Sequence, residues 1–120
     1  MSNISFGNHA KVTAPLSLRD KIRSFYQQAL GCDLVVAQEA LDVVRFTNDF
    51  FLGIAYEQDH LEDEHFLLAA WLELKTDDPN ELRKKLHQFG VKEIEYKDKN
   101  HFYFHAPGGQ VYRVASTDEK

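Results

Sequence analysis

Charged side chains interrupt the apolar, strand-like segments of this chain at several points. In HFYFHAPGGQVYRV, which runs from His101 to Val114, Arg113 lies directly between two apolar residues. Glu73 has the same setting in AAWLELK, and His9 opens the segment HAKVTA. Histidine and carboxylate side chains can ligate a metal ion or move a proton, and a guanidinium can pair with an anion. These residue types indicate a small-molecule site, provided that the strands bring them together.

Alternation along the strands decides which of these side chains share a surface, because successive strand residues point to opposite sides of a sheet. The even-numbered residues are almost all apolar, and each one buried against a helix stabilises the fold by roughly 1.5–3 kcal/mol. The odd-numbered residues mix aromatic bodies with charged tips, as ligand sites do. We call their side the odd face, and it comprises His9, Lys11, Thr13, Val43, Arg45, Thr47, Phe51, Gly53, Ala55, Glu57, Trp71, Glu73, Lys75, His101, Tyr103, His105, Val111, Arg113 and Ala115.

Two segments, SLRDKIRSFYQQALG and DDPNELRKKLHQFG, predict helices that stand half a chain length apart. Ser17 and Asp78 occupy the expected N-cap positions, and Gly90 follows the last turn of the second helix. Each helix comes after one strand-like segment and before three, so both halves read βαβββ. We therefore predict a single domain over residues 1–120, built from two similar modules at about 1–58 and 65–120. The polar segment EQDHLEDEH is the predicted linker between them.

Composition narrows the class of protein. The chain has 120 residues, of which 43% are hydrophobic and 12% aromatic, and this suits one folded domain. Its formal net charge is -5 and its basic residues are scattered, so neither nucleic acid nor a membrane is an expected partner. The only cysteine, Cys32, cannot form an internal disulfide, which is typical of a cytoplasmic protein. No segment reaches the roughly 18 apolar residues that a membrane-spanning helix needs.

The order of four segments resembles the vicinal oxygen chelate superfamily, which holds glyoxalase I, bleomycin-resistance proteins and extradiol dioxygenases. In the first half these are NHAKVTAP and IRSFYQQALGCDLV. In the second half they are LKTDDPNELRKKLHQFGV and FYFHAPGGQVYRV. The last of these is similar to the strand, DPxG turn and closing strand of the family, although Ala106 replaces the aspartate while Pro107 and Gly109 remain.

The resemblance implies an α+β fold. In that fold, two βαβββ modules form curved mixed sheets around a U-shaped cleft, with the helices on the outer face. It also implies a homodimer. Family members that carry a divalent ion such as Zn, Ni, Mn or Fe hold it in this cleft with four residues. The matching positions here are His9, Glu57, Trp71 and Arg113. An indole and a guanidinium cannot ligate a cation, so only His9 and Glu57 are predicted metal ligands.

Several interpretations of these residues stay open at this point. Arg113 can pair with Glu57 or Glu73, or it can bind an anionic ligand as a fork. Trp71 can pack the cleft or form a stacking wall for a planar ligand. A relocated metal site could combine His9 and Glu57 with one of three other odd-face residues, which are Glu73, His101 and His105.

The resulting functional prediction is a small-molecule-binding member of the superfamily with an incomplete metal site. The expected ligand is aromatic or anionic. The alternative is a metal-dependent lyase or dioxygenase that acts on a substrate with vicinal oxygens, in which Glu73 would be the catalytic base. A third hypothesis is a regulatory module whose cleft serves a partner protein. Whether the chain is an enzyme is left open. The predicted ligand-binding residues are Arg45, Phe51, Trp71, Tyr103, His105 and Arg113.

Overall fold

The computed structural model describes residues 6–58 and 70–119. The first half contains strand β1, a helical segment and three further strands. The second half repeats this order with helix α2. The bounds of the first half are β1 His9–Pro15, a 3₁₀ turn Leu16–Leu18, α1 Arg19–Ser24 continued by a π-helical turn Phe25–Ala29, β2 Asp33–Ala37, β3 Leu41–Arg45 and β4 Phe51–Glu57. Those of the second are β5 Trp71–Thr76, α2 Pro79–Phe89, β6 Glu93–Ile94, β7 Phe102–His105 and β8 Val111–Ser116.

Each half forms one four-stranded mixed sheet. Sheet 1 has the order β1-β4-β3-β2 and sheet 2 has the order β5-β8-β7-β6. The first and last strands of each half pair in parallel, and the other pairs are antiparallel. The predicted α+β fold with its repeated βαβββ order is confirmed. The segment LEDEH of the predicted linker and the first residues of the second module lie outside the described residues.

The helix ends follow the sequence signals at both ends of α2. Gly31, with a φ of 72°, follows the first helical segment as predicted, but the predicted start of α1 does not hold. The carboxylate of Asp78 accepts a hydrogen bond from the backbone N–H of Glu81 at 3.1 Å, and Gly90 ends the helix with a φ of 103°. The prediction that Ser17 caps the first helix is wrong, because Ser17 lies inside the 3₁₀ turn and α1 begins at Arg19. None of the helices within the described residues is long and apolar enough to cross a membrane.

One hydrophobic core joins the two modules. Phe25 is fully buried, and its ring centre lies 5.5 Å from that of Phe89 in α2 and 6.2 Å from that of Phe104 in β7. The hydroxyl of Tyr26 lies 2.6 Å from that of Tyr112 in β8. The core also holds the even-numbered apolar residues of both sheets, as alternation predicted: Ala14, Val44, Leu52, Ile54, Tyr56, Phe104, Tyr112 and Val114.

The odd faces lie on the sides of the sheets that point away from this core. Among the described residues, no hydrogen bond, ion pair or ring contact connects the odd face of sheet 1 with that of sheet 2. Within one chain the predicted site residues are therefore distributed over two surfaces, one on each sheet.

Candidate functional site

The pairing of β8 with its two neighbours concentrates the predicted site residues on sheet 2. The parallel register of β5 and β8 places Glu73 beside Arg113, and the antiparallel register of β7 and β8 places Tyr103 on the other side of Arg113. Trp71 lies two residues before Glu73 and therefore on the same face. We call the surface formed by Trp71, Glu73, Tyr103 and Arg113 the Trp71 face.

Arg113 lies at the centre of the Trp71 face. Its Nε and Nη2 both donate to Oε2 of Glu73, at 3.0 and 2.5 Å, and its Cζ lies 4.5 Å from the centre of the Trp71 ring. Nη1 is 3.7 Å from Oδ2 of Asp98. The guanidinium thus has an ion-pair partner and an aromatic support, a combination that arginine suits better than lysine. Of the alternatives for Arg113, the structure contains the pair with Glu73.

Aromatic rings surround this ion pair. The ring centre of Tyr103 lies 5.9 Å from that of Trp71, edge to face, and 4.7 Å from that of Tyr96. Val111 is fully buried beneath them. Burial raises the pKa of Tyr103, so its hydroxyl remains protonated and donates to Oδ2 of Asp98 at 3.0 Å. The Trp71 face is therefore an aromatic surface with one guanidinium and two carboxylates at its centre.

His101 connects this surface to the end of the described chain. Its Nδ1 lies 2.6 Å from Asp98 Oδ2, and its Nε2 lies 2.5 Å from Glu119 Oε1. Hydrogen bonds to Glu119 and Asp98 raise the pKa of His101. The pKa of Asp98 is lowered, first by the backbone N–H of Asn100 and next by His101. Since both ring nitrogens face carboxylates, His101 is held as an imidazolium and has no lone pair for a metal ion.

This arrangement predicts a pH-dependent contribution to stability. A raised pKa means that His101 stabilises the folded state fully below its ordinary pKa of about 6.5, and that this contribution is lost as the pH rises through the raised value. We expect His101→Gln to be less stable than the native chain at about pH 5.5, with a smaller difference at about pH 8.5. Urea unfolding at both pH values measures this, with His9→Gln as the control. A stability difference that does not change with pH would contradict it.

His9 and Glu57, the predicted metal ligands, lie on sheet 1 and far from each other. His9 is opposite Phe51 in the register of β1 and β4, and their rings stack at 5.0 Å. Glu57 is opposite Pro15, six residues after His9. At about 3.3 Å per residue this places them about 20 Å apart along the strands. One ion cannot contact both side chains of one chain.

A metal ion therefore does not fit the predicted donor set. His9 and Glu57 are separated, His101 is engaged by two carboxylates, and Trp71 and Arg113 have no lone pair to offer. Within residues 6–58 and 70–119, no three histidine, cysteine, aspartate or glutamate side chains come together as a possible metal site. Protein metal sites normally supply three or more ligands.

The remaining predicted residues lie apart from the Trp71 face or at its edge. Arg45 is an exposed residue of sheet 1, where Nη2 donates to Asp33 Oδ2 at 2.8 Å. Phe51 is half-buried beside His9. His105 follows Tyr103 on the same face of β7, and its Nδ1 lies 2.9 Å from the carbonyl oxygen of Gly109.

Sequence reasoning missed two groups of polar residues. Tyr96 and Asp98 follow β6 in the segment EYKDKN. The strand-like pattern of VKEIEYK includes Tyr96 but ends before Asp98, and it did not indicate that either residue contacts the site. Asp42 is fully buried in β3, where its carboxylate accepts from Arg23 Nε at 3.0 and 2.9 Å and from the Tyr56 hydroxyl at 2.7 Å. Asp42 could have been found from its even number, which places it on the apolar face of the strand. A buried acid on such a face requires a polar partner.

No protein-family model and no curated protein sequence matches the chain, but solved structures match its fold. A protein assigned to the glyoxalase family in Bacillus anthracis is 20% identical, with a TM-score of 0.75 over 97% of this chain and 98% of that one. The antibiotic binding protein TnmS3 from Streptomyces sp. CB03234 is 19% identical, with a TM-score of 0.62 over 95% and 98%. The fosfomycin resistance protein FosX from Listeria monocytogenes is 11% identical, with a TM-score of 0.74 over 93% and 91%.

Each match covers nearly the whole of this chain and of the matched chain. The similarity therefore includes both modules and their arrangement, not one module alone. At identities of 20% or less these matches establish the fold, and the residues of the site must be judged from this chain. The chain has the fold of these proteins, which is the fold that the resemblance seen in its sequence implied.

Proposed function

We propose that this protein binds a planar aromatic small molecule on the Trp71 face without a metal ion. The observation that carries the proposal is the position of Arg113, which is held between the Trp71 ring and the Glu73 carboxylate with 24% of its side chain exposed. A guanidinium fixed in this way offers a flat, polarised surface on which an aromatic ring can stack. Tyr103 and Tyr96 add apolar area beside it.

The charges on the Trp71 face indicate which kind of aromatic ligand it can bind. Arg113 carries one positive charge, whereas Glu73 and Asp98 carry one negative charge each when ionised. All three guanidinium nitrogens already face these carboxylates, so Arg113 has little capacity left for an anion. Of the two ligand classes predicted from sequence, an aromatic ligand is favoured over an anionic one. A neutral aromatic molecule with a hydrogen-bond donor for the carboxylates suits the surface best.

The structural matches support a binding function in general terms. TnmS3 is described as an antibiotic binding protein and FosX as a fosfomycin resistance protein, so this fold accommodates small molecules in other chains. We propose that a second copy of the chain covers the Trp71 face and completes the site, as the resemblance to the superfamily implies. Light scattering tests this, since a molar mass of 13.9 kDa under binding conditions would contradict it.

Arg113→Ala is expected to weaken aromatic ligands by about tenfold or more, because it removes the stacking surface and leaves Glu73 without its partner. The measurement is a titration followed by Trp71 fluorescence, and Trp71 is the only tryptophan in the chain. A panel of neutral aromatic molecules with hydroxyl or amide groups serves as the probe.

Arg83→Ala is the matched control for this experiment. Arg83 also pairs with a glutamate, Glu93, and its Cζ lies 5.0 Å from the centre of the Phe102 ring. It therefore reproduces the ion pair and the aromatic contact of Arg113 away from the Trp71 face. Equal loss of affinity in both variants, or no loss in Arg113→Ala, would remove Arg113 from the proposed site.

The metal-dependent lyase or dioxygenase is the alternative function. Its predicted base, Glu73, accepts two hydrogen bonds from Arg113 at a single carboxylate oxygen, and its predicted metal ligands are about 20 Å apart within the chain. Stoichiometric binding of Zn, Ni, Mn or Fe, measured by elemental analysis after incubation and dialysis, would support the alternative against our proposal.

A further inference from the structure

A groove on sheet 2 lies beside the turn that connects β7 to β8. It is bounded by residues 89–95, which run from the end of α2 through β6, by residues 105–109 at the turn, and by Leu18 and Lys21 of the first helical segment. Its volume is about 560 Å³, which is within the range of about 300–1,000 Å³ typical of small-molecule sites. We call it the turn groove. None of the four residues that define the Trp71 face lines it.

We propose that the turn groove is a second binding site, for a small molecule with an apolar body, one anionic group and one hydrogen-bond donor. Leu18, Phe89 and Ile94 provide apolar lining for the body. Polar groups of the groove would bind the anionic group and the hydrogen-bond donor of the ligand. The proposal is independent of the function proposed for the Trp71 face.

His105 provides a hydrogen-bond acceptor in a fixed orientation. The carbonyl oxygen of Gly109 can only accept, so the His105 Nδ1 at 2.9 Å must carry the proton and donate. The Nε2 of the neutral ring then has a lone pair, and within the described part of the chain no group hydrogen-bonds to it. A donor on the ligand would match this atom.

Two lysines give the groove its affinity for an anion. Lys21 and Lys92 are both exposed at the groove, and neither forms an ion pair with a described residue. Of the two acids that line it, Glu93 is already paired with Arg83, which leaves Glu95 to oppose two lysines. The local balance of charge is therefore positive, in contrast to the Trp71 face.

The turn is closely packed against the core and closed by a hydrogen bond, which favours a preformed site. Gly108 has a φ of 97°, and a Cβ atom there would lie 3.0 Å from Ile22 Cδ1 and 3.2 Å from Ala14 Cβ. Glycine is therefore required for the turn to pack this closely against α1 and β1. Gly109 N–H also donates to the carbonyl oxygen of Ala106 at 2.9 Å, which closes the turn.

The experiment is an NMR titration of the full chain with three related probes. The first, 4-hydroxyphenylacetate, has the apolar ring, the anion and the donor. Phenylacetate lacks the donor, and 4-hydroxyphenylacetamide lacks the charge. We expect the first probe to shift the amide signals of Gly108 and Gly109 saturably. Its affinity should exceed that of phenylacetate by about fivefold, which corresponds to one hydrogen bond. It should exceed that of 4-hydroxyphenylacetamide by about threefold, which corresponds to one exposed charge pair.

Variants assign these effects to residues. In His105→Ala the advantage of the hydroxyl probe over phenylacetate should disappear, which a purely structural role of His105 would not produce. Lys21→Ala or Lys92→Ala should remove part of the advantage of the anion, whereas the exposed control Lys84→Ala should not. Arg113→Ala should leave unchanged the three affinities that are read from the Gly108 and Gly109 signals, which separates this site from the Trp71 face. Absence of saturable shifts at Gly108 and Gly109, or shifts that His105→Ala and both groove lysine variants leave unaltered, would overturn the proposal.

Discussion

Arg23→Ala is expected to lower the free energy of unfolding by about 3–5 kcal/mol, the range for breaking a buried ion pair from one side. Arg23 donates through Nε to both oxygens of Asp42, whose side chain is only 1% exposed. Without Arg23, the Tyr56 hydroxyl would be the one side-chain partner left to the Asp42 carboxylate among residues 6–58 and 70–119. A third hydrogen bond, from Arg23 Nη2 to the carbonyl oxygen of Gln38 at 2.9 Å, would also be lost.

Arg45→Ala is the matched control, because Arg45 also pairs with an aspartate in sheet 1. The Arg45 and Asp33 side chains are 43% and 67% exposed, and exposed pairs contribute about 0–1 kcal/mol. Urea unfolding of both variants measures the two losses of stability. A shift of the unfolding midpoint reports a change in stability only when the m-value is unchanged. Similar losses in the two variants would contradict the assignment of Asp42 as the buried ionic centre of the first module.

Phe25→Ala is expected to cost about 3–5 kcal/mol, the range for truncating a buried phenylalanine. Phe25 has no exposed surface and contacts Phe89 and Phe104 of the second module. The variant would therefore leave a cavity where the two modules meet. Phe51→Ala is the control, since Phe51 lies half-buried on the odd face and its loss should cost less.

The same variant tests whether the modules unfold together. Trp71 fluorescence reports on the second module, whereas circular dichroism reports on the whole chain. A shared core predicts that both signals shift to the same lower urea concentration in Phe25→Ala. If the Trp71 transition stayed in place while the dichroism transition moved, the modules would be independent and the account of one common core would be wrong.

The alternation of side chains predicted which residues share a face of a sheet. It did not predict how far apart they lie along the strands. Glu73, Tyr103 and Arg113 were assigned to one face by their numbering, and the register makes them neighbours. The same reasoning placed His9 and Glu57 on one face, and they are at opposite ends of it. Side-chain parity reports which face a residue occupies, whereas register depends on strand pairing that a single sequence does not contain.

Polar residues outside regular strands were the least predictable part. Asp98 contacts Arg113, Tyr103 and His101, although it lies between β6 and β7 in a segment without periodicity. Its partners are three to fifteen residues away, so only tertiary structure reveals the cluster. The caps of α2 depend on local residues and were predicted correctly, since Asp78 and Gly90 act on their own helix.

The most direct test of the account is the NMR signal of the Trp71 indole N–H, followed while neutral aromatic molecules are added to protein treated with EDTA. The chain has one tryptophan, so a single signal reports on the Trp71 face. Binding without a metal predicts a saturable shift in the native chain and in Arg83→Ala, and a much weaker response in Arg113→Ala. A Trp71 signal that moves only after Zn, Ni, Mn or Fe is added, or that moves equally in Arg113→Ala, would contradict the proposal.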